Sequence, residues 1–132
     1  MFPKNTWYVA ASSGEITDKP LGRKVCNEPM VFYRGPDKRI AALEDFCPHR
    51  GAPLSLGYVC AGKLVCGYHG LEMGCDGKTV AMPGQRVRGF PPIRTFPAEE
   101  RYGFIWVWPG DAALADPATI PVMEWHNNPE WA

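Results

Sequence analysis

Two short loops constrain this chain more than anything else in it. The first is Cys47-Pro48-His49-Arg50-Gly51. The second, Cys66-Gly67-Tyr68-His69-Gly70, begins after sixteen further residues beyond His49. Each loop offers one thiolate and one imidazole, donors that transition metals take. Neither loop carries enough ligands alone, so the fold must bring the two together. Two metal readings satisfy the count. A structural zinc accepts two Cys and two His tetrahedrally, usually from a Cys-x-x-Cys knuckle and a His pair at wider intervals. Mixed Cys-x-His and Cys-x-x-His pairs, bracketed by Gly51, Gly67 and Gly70, match instead a 2Fe-2S cluster in which two histidines replace two cysteines on one iron. On that reading Cys47 and Cys66 bind the buried iron, and His49 and His69 bind the outer one. The glycines let backbone N–H groups approach the sulfurs, and Pro48 stiffens its loop.

A chain of 132 residues, 45% hydrophobic, is long enough for one domain with a core and too short for two ordinary ones. Fourteen basic and fourteen acidic residues cancel, so nothing here rewards a phosphate backbone and no nucleic-acid partner is expected. The start, Met1 to Asn5, lacks an apolar stretch behind a basic end, so no secretory signal is indicated. The longest apolar runs, such as Phe104 to Trp108, fall far short of the ~20 residues that span a bilayer. A cytoplasmic chain without a membrane partner is the expectation. With Cys47 and Cys66 taken as ligands, Cys26, Cys60 and Cys75 have no obvious pairing and are expected as buried or free thiols.

Short β-rich segments alternate with turn signals: Trp7 to Ala10, Met30 to Tyr33, Ile40 to Leu43, Lys63 to Val65, Thr79 to Ala81 and Phe104 to Trp108. Gly35-Pro36-Asp37 and Asp76-Gly77 read as hairpin turns, and no segment has long helical periodicity. The fold expected is all-β, a small antiparallel sandwich or barrel carrying two cluster-binding loops. From about Gly110 the character changes. Asp111 to Asp116 could form one helical turn, and Pro117, Pro121 and Pro129 then punctuate a stretch carrying Trp125 and Trp131. Residues 1–110 are read as the cluster domain, and 111–132 as a Pro- and Trp-rich linker toward a catalytic domain outside this chain. Its two tryptophans either cover the β-domain or pack against that other domain.

At the two loops the chain resembles the Rieske family, which places such loops on a small antiparallel β-domain. High-potential members add a cysteine after each ligand motif and a serine hydroxyl to a cluster sulfur. Ala52, Tyr68 and Leu71 stand at those places here. The resemblance therefore implies a potential near the low end of the ~−150 to +300 mV Rieske range. Met1 to Ala10, Asp45 to Ser55, Gly67 to Gly84 and Arg101 to Gly110 are similar to the amino-terminal part of aromatic-ring O-demethylating oxygenases. Gly70-Leu71-Glu72-Met73 and Ala81-Met82-Pro83-Gly84-Gln85 are the most particular segments. Ring dioxygenases commonly carry Trp where Leu71 stands.

That resemblance implies a flavin and ferredoxin-type reductase as electron donor. It implies as acceptor a mononuclear iron in the catalytic domain of the same or a neighbouring subunit, with His69 as the electron exit. Imidazoles on a redox metal should also couple proton and electron movement at His49 and His69. A mononuclear site of that kind needs two histidines and a carboxylate. With two of three histidines used by the cluster, only His126 remains, so the catalytic iron site is not expected within these residues. A free-standing Rieske ferredoxin is the alternative, and a zinc-stabilised binding module the third possibility.

Other signals are weaker. Gly57 to Leu64 nearly spells a phosphate-binding loop, but Leu64 has no hydroxyl for magnesium and no helical pattern follows. Cys75 has no histidine beyond the ligands near it in sequence to activate it, and reads as a buried or turn cysteine. Arg50, Arg86, Arg88, Arg94 and Arg101 are read as scattered surface residues rather than a docking face for an acidic donor. Tyr68 is read as packing that shields the cluster, and His126 as an exposed linker residue.

Overall fold

Met30-Val31-Phe32-Tyr33 is an unbroken apolar run, and its packing explains why it does not alternate. It lies in β3 (Glu28–Arg34), where all four residues are fully buried. Val31 and Tyr33 enter one core region, while Met30 and Phe32 enter another on the opposite face. Successive strand residues point to opposite faces, so a strand covered on both sides needs apolar residues throughout. The neighbouring β4 (Ile40–Glu44) is divided in the same way, with Ala41 and Leu43 on one side and Ala42 on the other.

The computed structural model describes residues 3–47, 53–67, 70–81 and 92–120. Among them every regular element is a strand or a short 3-10 turn. The remaining strands are β1 (Tyr8–Ser12), β2 (Leu21–Val25), β5 (Tyr58–Cys60), β6 (Lys63–Val65), β7 (Glu72–Met73), β8 (Thr79–Ala81), β9 (Thr95–Phe96), β10 (Ala98–Arg101) and β11 (Phe104–Val107). They pair antiparallel in the orders β1-β11-β10, β2-β3-β4-β9 and β5-β6-β7-β8. The sheet holding β3 and β4 is the middle one. One of its faces shares a core with β11 through Ile105 and Val107, and the other shares a core with β6 and β7 through Leu64 and Met73. The all-β antiparallel class expected from the sequence is the class observed.

The sequence reading has no strand at β2, β5, β7, β9 or β10. Three of the five residues of β2 are exposed, so it has little hydrophobic signal, and β7 and β9 are two residues each. Three hairpins also turn on pairs with positive φ at both positions: Cys26-Asn27, Ala61-Gly62 and Tyr102-Gly103. Such turns match the twist of the flanking strands, but their usual signal is Asn-Gly or Asp-Gly. The near phosphate-binding loop is one of these hairpins, with β5 and β6 pairing across Ala61-Gly62.

Residues 111–120 form two 3-10 turns, Ala112–Leu114 and Pro117–Thr119, where one helical turn over Asp111 to Asp116 is expected. Asp111 and Asp116 cap them, accepting at 3.0 Å from the Ala113 and Ala118 N–H groups. Ile120 is buried with Trp7, Trp106 and Trp108. The Trp7 indole N–H donates to the Asp116 carbonyl and to Thr119 Oγ1, both at 3.0 Å. Trp125, His126 and Trp131 lie outside the described residues.

Candidate metal centre

Cys47 lies three residues beyond the end of β4, and Cys66 directly follows β6. The two cysteines are 2% exposed and belong to one core region with Leu43, Leu54, Leu64, Leu71 and Met73. Both cysteines therefore lie in the same buried, apolar region of the fold. The histidines, His49 and His69, lie outside the described residues, as do Pro48, Arg50, Gly51, Ala52 and Tyr68.

Backbone bonds close the second loop. The Cys66 N–H donates to the Leu71 carbonyl at 2.8 Å, and the Gly70 N–H returns to the Cys66 carbonyl at 3.0 Å. These bring Gly70 and Leu71 back onto Cys66 immediately after β6. The descending arm of the first loop meets this segment backbone to backbone. A methyl added at Gly57 would stand 1.9 Å from the Val65 carbonyl oxygen and 3.0 Å from the Gly67 N. One added at Gly67 would stand 3.1 Å from the Leu56 carbonyl oxygen. The sequence points to Gly67 for an approach of its N–H to the sulfurs; the close neighbour the structure gives it is instead the Leu56 carbonyl, and Gly57 owes its role to the same gap.

Nor does the sequence single out the pair Asp45 and Ser55. The Asp45 carboxylate accepts from both the Ser55 N–H, at 2.8 Å, and Ser55 Oγ, at 2.6 Å. A lone Asp and a lone Ser ten residues apart carry no recognisable sequence signal.

The other thiols lie elsewhere. None of the five cysteines is in a disulfide, and Cys60 and Cys75 are exposed while Cys26 is partly buried. Cys75 sits in the turn between β7 and β8, where the Tyr33 hydroxyl donates to its Sγ at 3.3 Å. Burial, and then that bond, push the Tyr33 hydroxyl well above the ordinary phenol range. Arg94 donates to Glu28 Oε1 at 3.0 Å, and Arg101 to the Pro117 carbonyl at 2.9 Å. Both are thus engaged within the chain, whereas Arg50, Arg86 and Arg88 lie outside the described residues.

Residues 6–97 match the family model described as "Rieske [2Fe-2S] domain". The chain belongs to that family. It is 74% identical over all 132 residues to the vanillate O-demethylase oxygenase subunit of Pseudomonas sp. (strain HR199 / DSM 7063), of which it covers 37%. It is 50% identical over 123 residues to the dicamba O-demethylase oxygenase component of Stenotrophomonas maltophilia, covering 91% of this chain and 36% of that protein. Among solved structures, dicamba monooxygenase bound to dicamba superposes with a TM-score of 0.88 at 47% identity, over 97% of this chain and 39% of that one. The Rieske chain thus spans about two-fifths of the length of the relatives it matches.

The cofactor of a Rieske domain is a 2Fe-2S cluster, and the described donor set fits one. Cys47 and Cys66 are both buried in the core region that holds Leu54, Leu64, Leu71 and Met73, and cysteine thiolates are the ligands that hold such clusters. Among the described residues no group of three or more His, Cys, Asp and Glu side chains forms a rival metal site. Nor is any described helix long and apolar enough to cross a membrane.

Proposed function

We propose that this chain is the electron-delivering part of the oxygenase component of an aromatic O-demethylating monooxygenase, with vanillate as the substrate class. The observation that carries the proposal is the burial of both Cys47 and Cys66 in one core region, with the backbone after the first loop in close approach to the second at Gly57 and Gly67. The 74% identity to a vanillate O-demethylase oxygenase subunit supplies the enzyme class.

When bound, the cluster takes up and releases one electron at a time. Cys47 and Cys66 would hold one iron of it and His49 and His69 the other, an imidazole being the ligand that tolerates contact with water. Leu54, Leu64, Leu71 and Met73 keep water from the cysteine side. The electron donor would be a flavin and ferredoxin-type reductase, His69 would be the residue on the exit side, and the acceptor would be a mononuclear iron in the catalytic domain of the same or a neighbouring subunit. Residues 1–110 form the electron-transfer domain, and 111–132 lead toward the catalytic domain. The setting is the cytoplasm.

Analysis of the purified chain for iron and acid-labile sulfide tests the ligand assignment. Two of each per chain are expected, with a rhombic electron-paramagnetic signal on reduction that is lost in Cys66→Ser. Zinc in place of iron and sulfide overturns it. These 132 residues, with three histidines, should take one electron from a reductant and leave vanillate unchanged. Sustained vanillate turnover by the chain alone would contradict the division of labour.

A further inference from the structure

The two ligand loops are closed by different means. The second is pinned by its own backbone within six residues, through the Cys66–Leu71 and Gly70–Cys66 bonds. The first is longer, and a side chain spans its base. Asp45 stands two residues before Cys47. Its N–H donates to the Pro29 carbonyl at 3.0 Å, which fastens it to β3. Its carboxylate then takes both donors of Ser55, Oδ1 accepting from the N–H and Oδ2 from the hydroxyl. Strand β2 leaves room for this pair, because a methyl added at Gly22 would stand 2.7 Å from Ser55 Oγ and 3.2 Å from Asp45 Oδ2. Three separate segments, β2, the end of β4 and the turn at Leu54–Leu56, are thus fitted around one carboxylate.

We propose that Asp45 is the positioning residue of the first cluster loop: its two-pronged hold on Ser55 closes the span carrying Cys47 and His49 before the cluster arrives. The inference rests on the assignment of Cys47 and His49 as ligands. Hydrogen bonds to a charged acceptor are stronger than neutral ones, and two from one residue fix orientation as well as distance. A loop closed by the protein spares cluster assembly the entropy of closing it, and that saving appears as slower loss of the cluster once bound.

The test compares the loaded 132-residue chain with Asp45→Ala, Asp45→Asn, Ser55→Ala and the Asp45→Ala/Ser55→Ala double variant. Hydrogen exchange is followed in chain freed of its cluster, and loss of visible absorbance to an iron chelator in loaded chain. In cluster-free Asp45→Ala the Ser55 N–H should exchange about 10- to 100-fold faster than in the parent, the factor a charged hydrogen bond is worth. Cluster release should rank Asp45→Ala fastest. Ser55→Ala, which keeps the N–H arm, should be intermediate, and Asp45→Asn, which keeps an acceptor for that N–H, should recover part of the parent's retention. The double variant should be no worse than Asp45→Ala, because that change already removes both arms. Release and Ser55 exchange equal to the parent in Asp45→Ala would overturn the proposal, and so would fully additive effects in the double variant. Should Asp45→Ala not fold, Gly22→Ala crowds the clamp from β2 while keeping both its members; parent-like release and exchange there and in Ser55→Ala overturn the proposal equally. A parent chain that never binds iron and sulfide would refute the ligand assignment instead, a result these comparisons keep separate.

Discussion

Replacing Gly57 with alanine should damage this domain more than any other small change near the cluster loops. Gly57 has a negative φ, −88°, so φ by itself does not call for glycine; the obstacle is space. The new methyl would stand 1.9 Å from the Val65 carbonyl oxygen. Real Cβ atoms essentially never approach a heavy atom within 3.0 Å, so the segments must part by about 1.1 Å, the gap between those two distances. What they part is backbone from backbone: Val65 is paired with Tyr58 across β5 and β6 and immediately precedes Cys66. Overpacking typically costs about 1–3 kcal/mol, and more when the neighbour cannot turn aside. A paired strand cannot, so the upper end, about 3 kcal/mol, is expected. With a urea dependence of about 1–3 kcal/mol per molar, the unfolding midpoint should fall by about 1 M or more. Iron content should fall with it, since the displacement reaches Cys66. Two controls calibrate the measurement. Gly67→Ala meets the Leu56 carbonyl oxygen at 3.1 Å and needs only a few tenths of an ångström, so about 1 kcal/mol is expected. Gly14→Ala meets nothing within 4 Å and should stay within about 0.5 kcal/mol of the parent. A Gly57→Ala chain that unfolds with Gly14→Ala and carries full iron would refute the claim that this contact sets the spacing of the loops.

Three further outcomes are expected. Arg34 grips Glu100 with both terminal nitrogens, at 3.0 and 2.9 Å, and those bonds hold the Glu100 carboxyl below its ordinary range. A depressed carboxylate stabilises the fold above its unfolded value of about 4.3 and stops doing so as pH falls through its lower folded value. Because the pair is partly exposed, Glu100→Gln should cost no more than about 1 kcal/mol at pH 7. The difference in thermal midpoint should shrink toward zero in acid, and a difference that grows in acid would contradict the pairing. Trp7→Phe removes the donor to Asp116 and Thr119, for about 1–2 kcal/mol, and should raise amide exchange over residues 111–120 before the sheets respond. Redox titration should place the potential near the low end of the ~−150 to +300 mV Rieske range, since Leu71 offers no hydroxyl to a cluster sulfur; a value well above zero would refute this.

The Rieske character of the centre and the all-β class of the fold are both legible in the sequence alone. Cys-x-His and Cys-x-x-His are local patterns, legible wherever the chain goes, and Met30 to Tyr33 and Ile40 to Leu43 announce strands because apolar β-rich runs need a sheet to bury them. The sequence could not show that β3 and β4 are covered on both faces, since an unbroken apolar run is compatible with several burial patterns. Nor could it show hairpins turning on Cys26-Asn27 and Tyr102-Gly103, pairs without the usual turn composition. How the two loops are held emerges only from the packing of the folded chain. Gly57 matters through Val65 and Gly67, Asp45 through Ser55, and Gly22 through both members of that clamp. Each of those roles belongs to a pair of residues distant in the chain. Ligand identity is a property of a residue, whereas ligand placement is a property of contacts, and contacts exist only once the chain has folded.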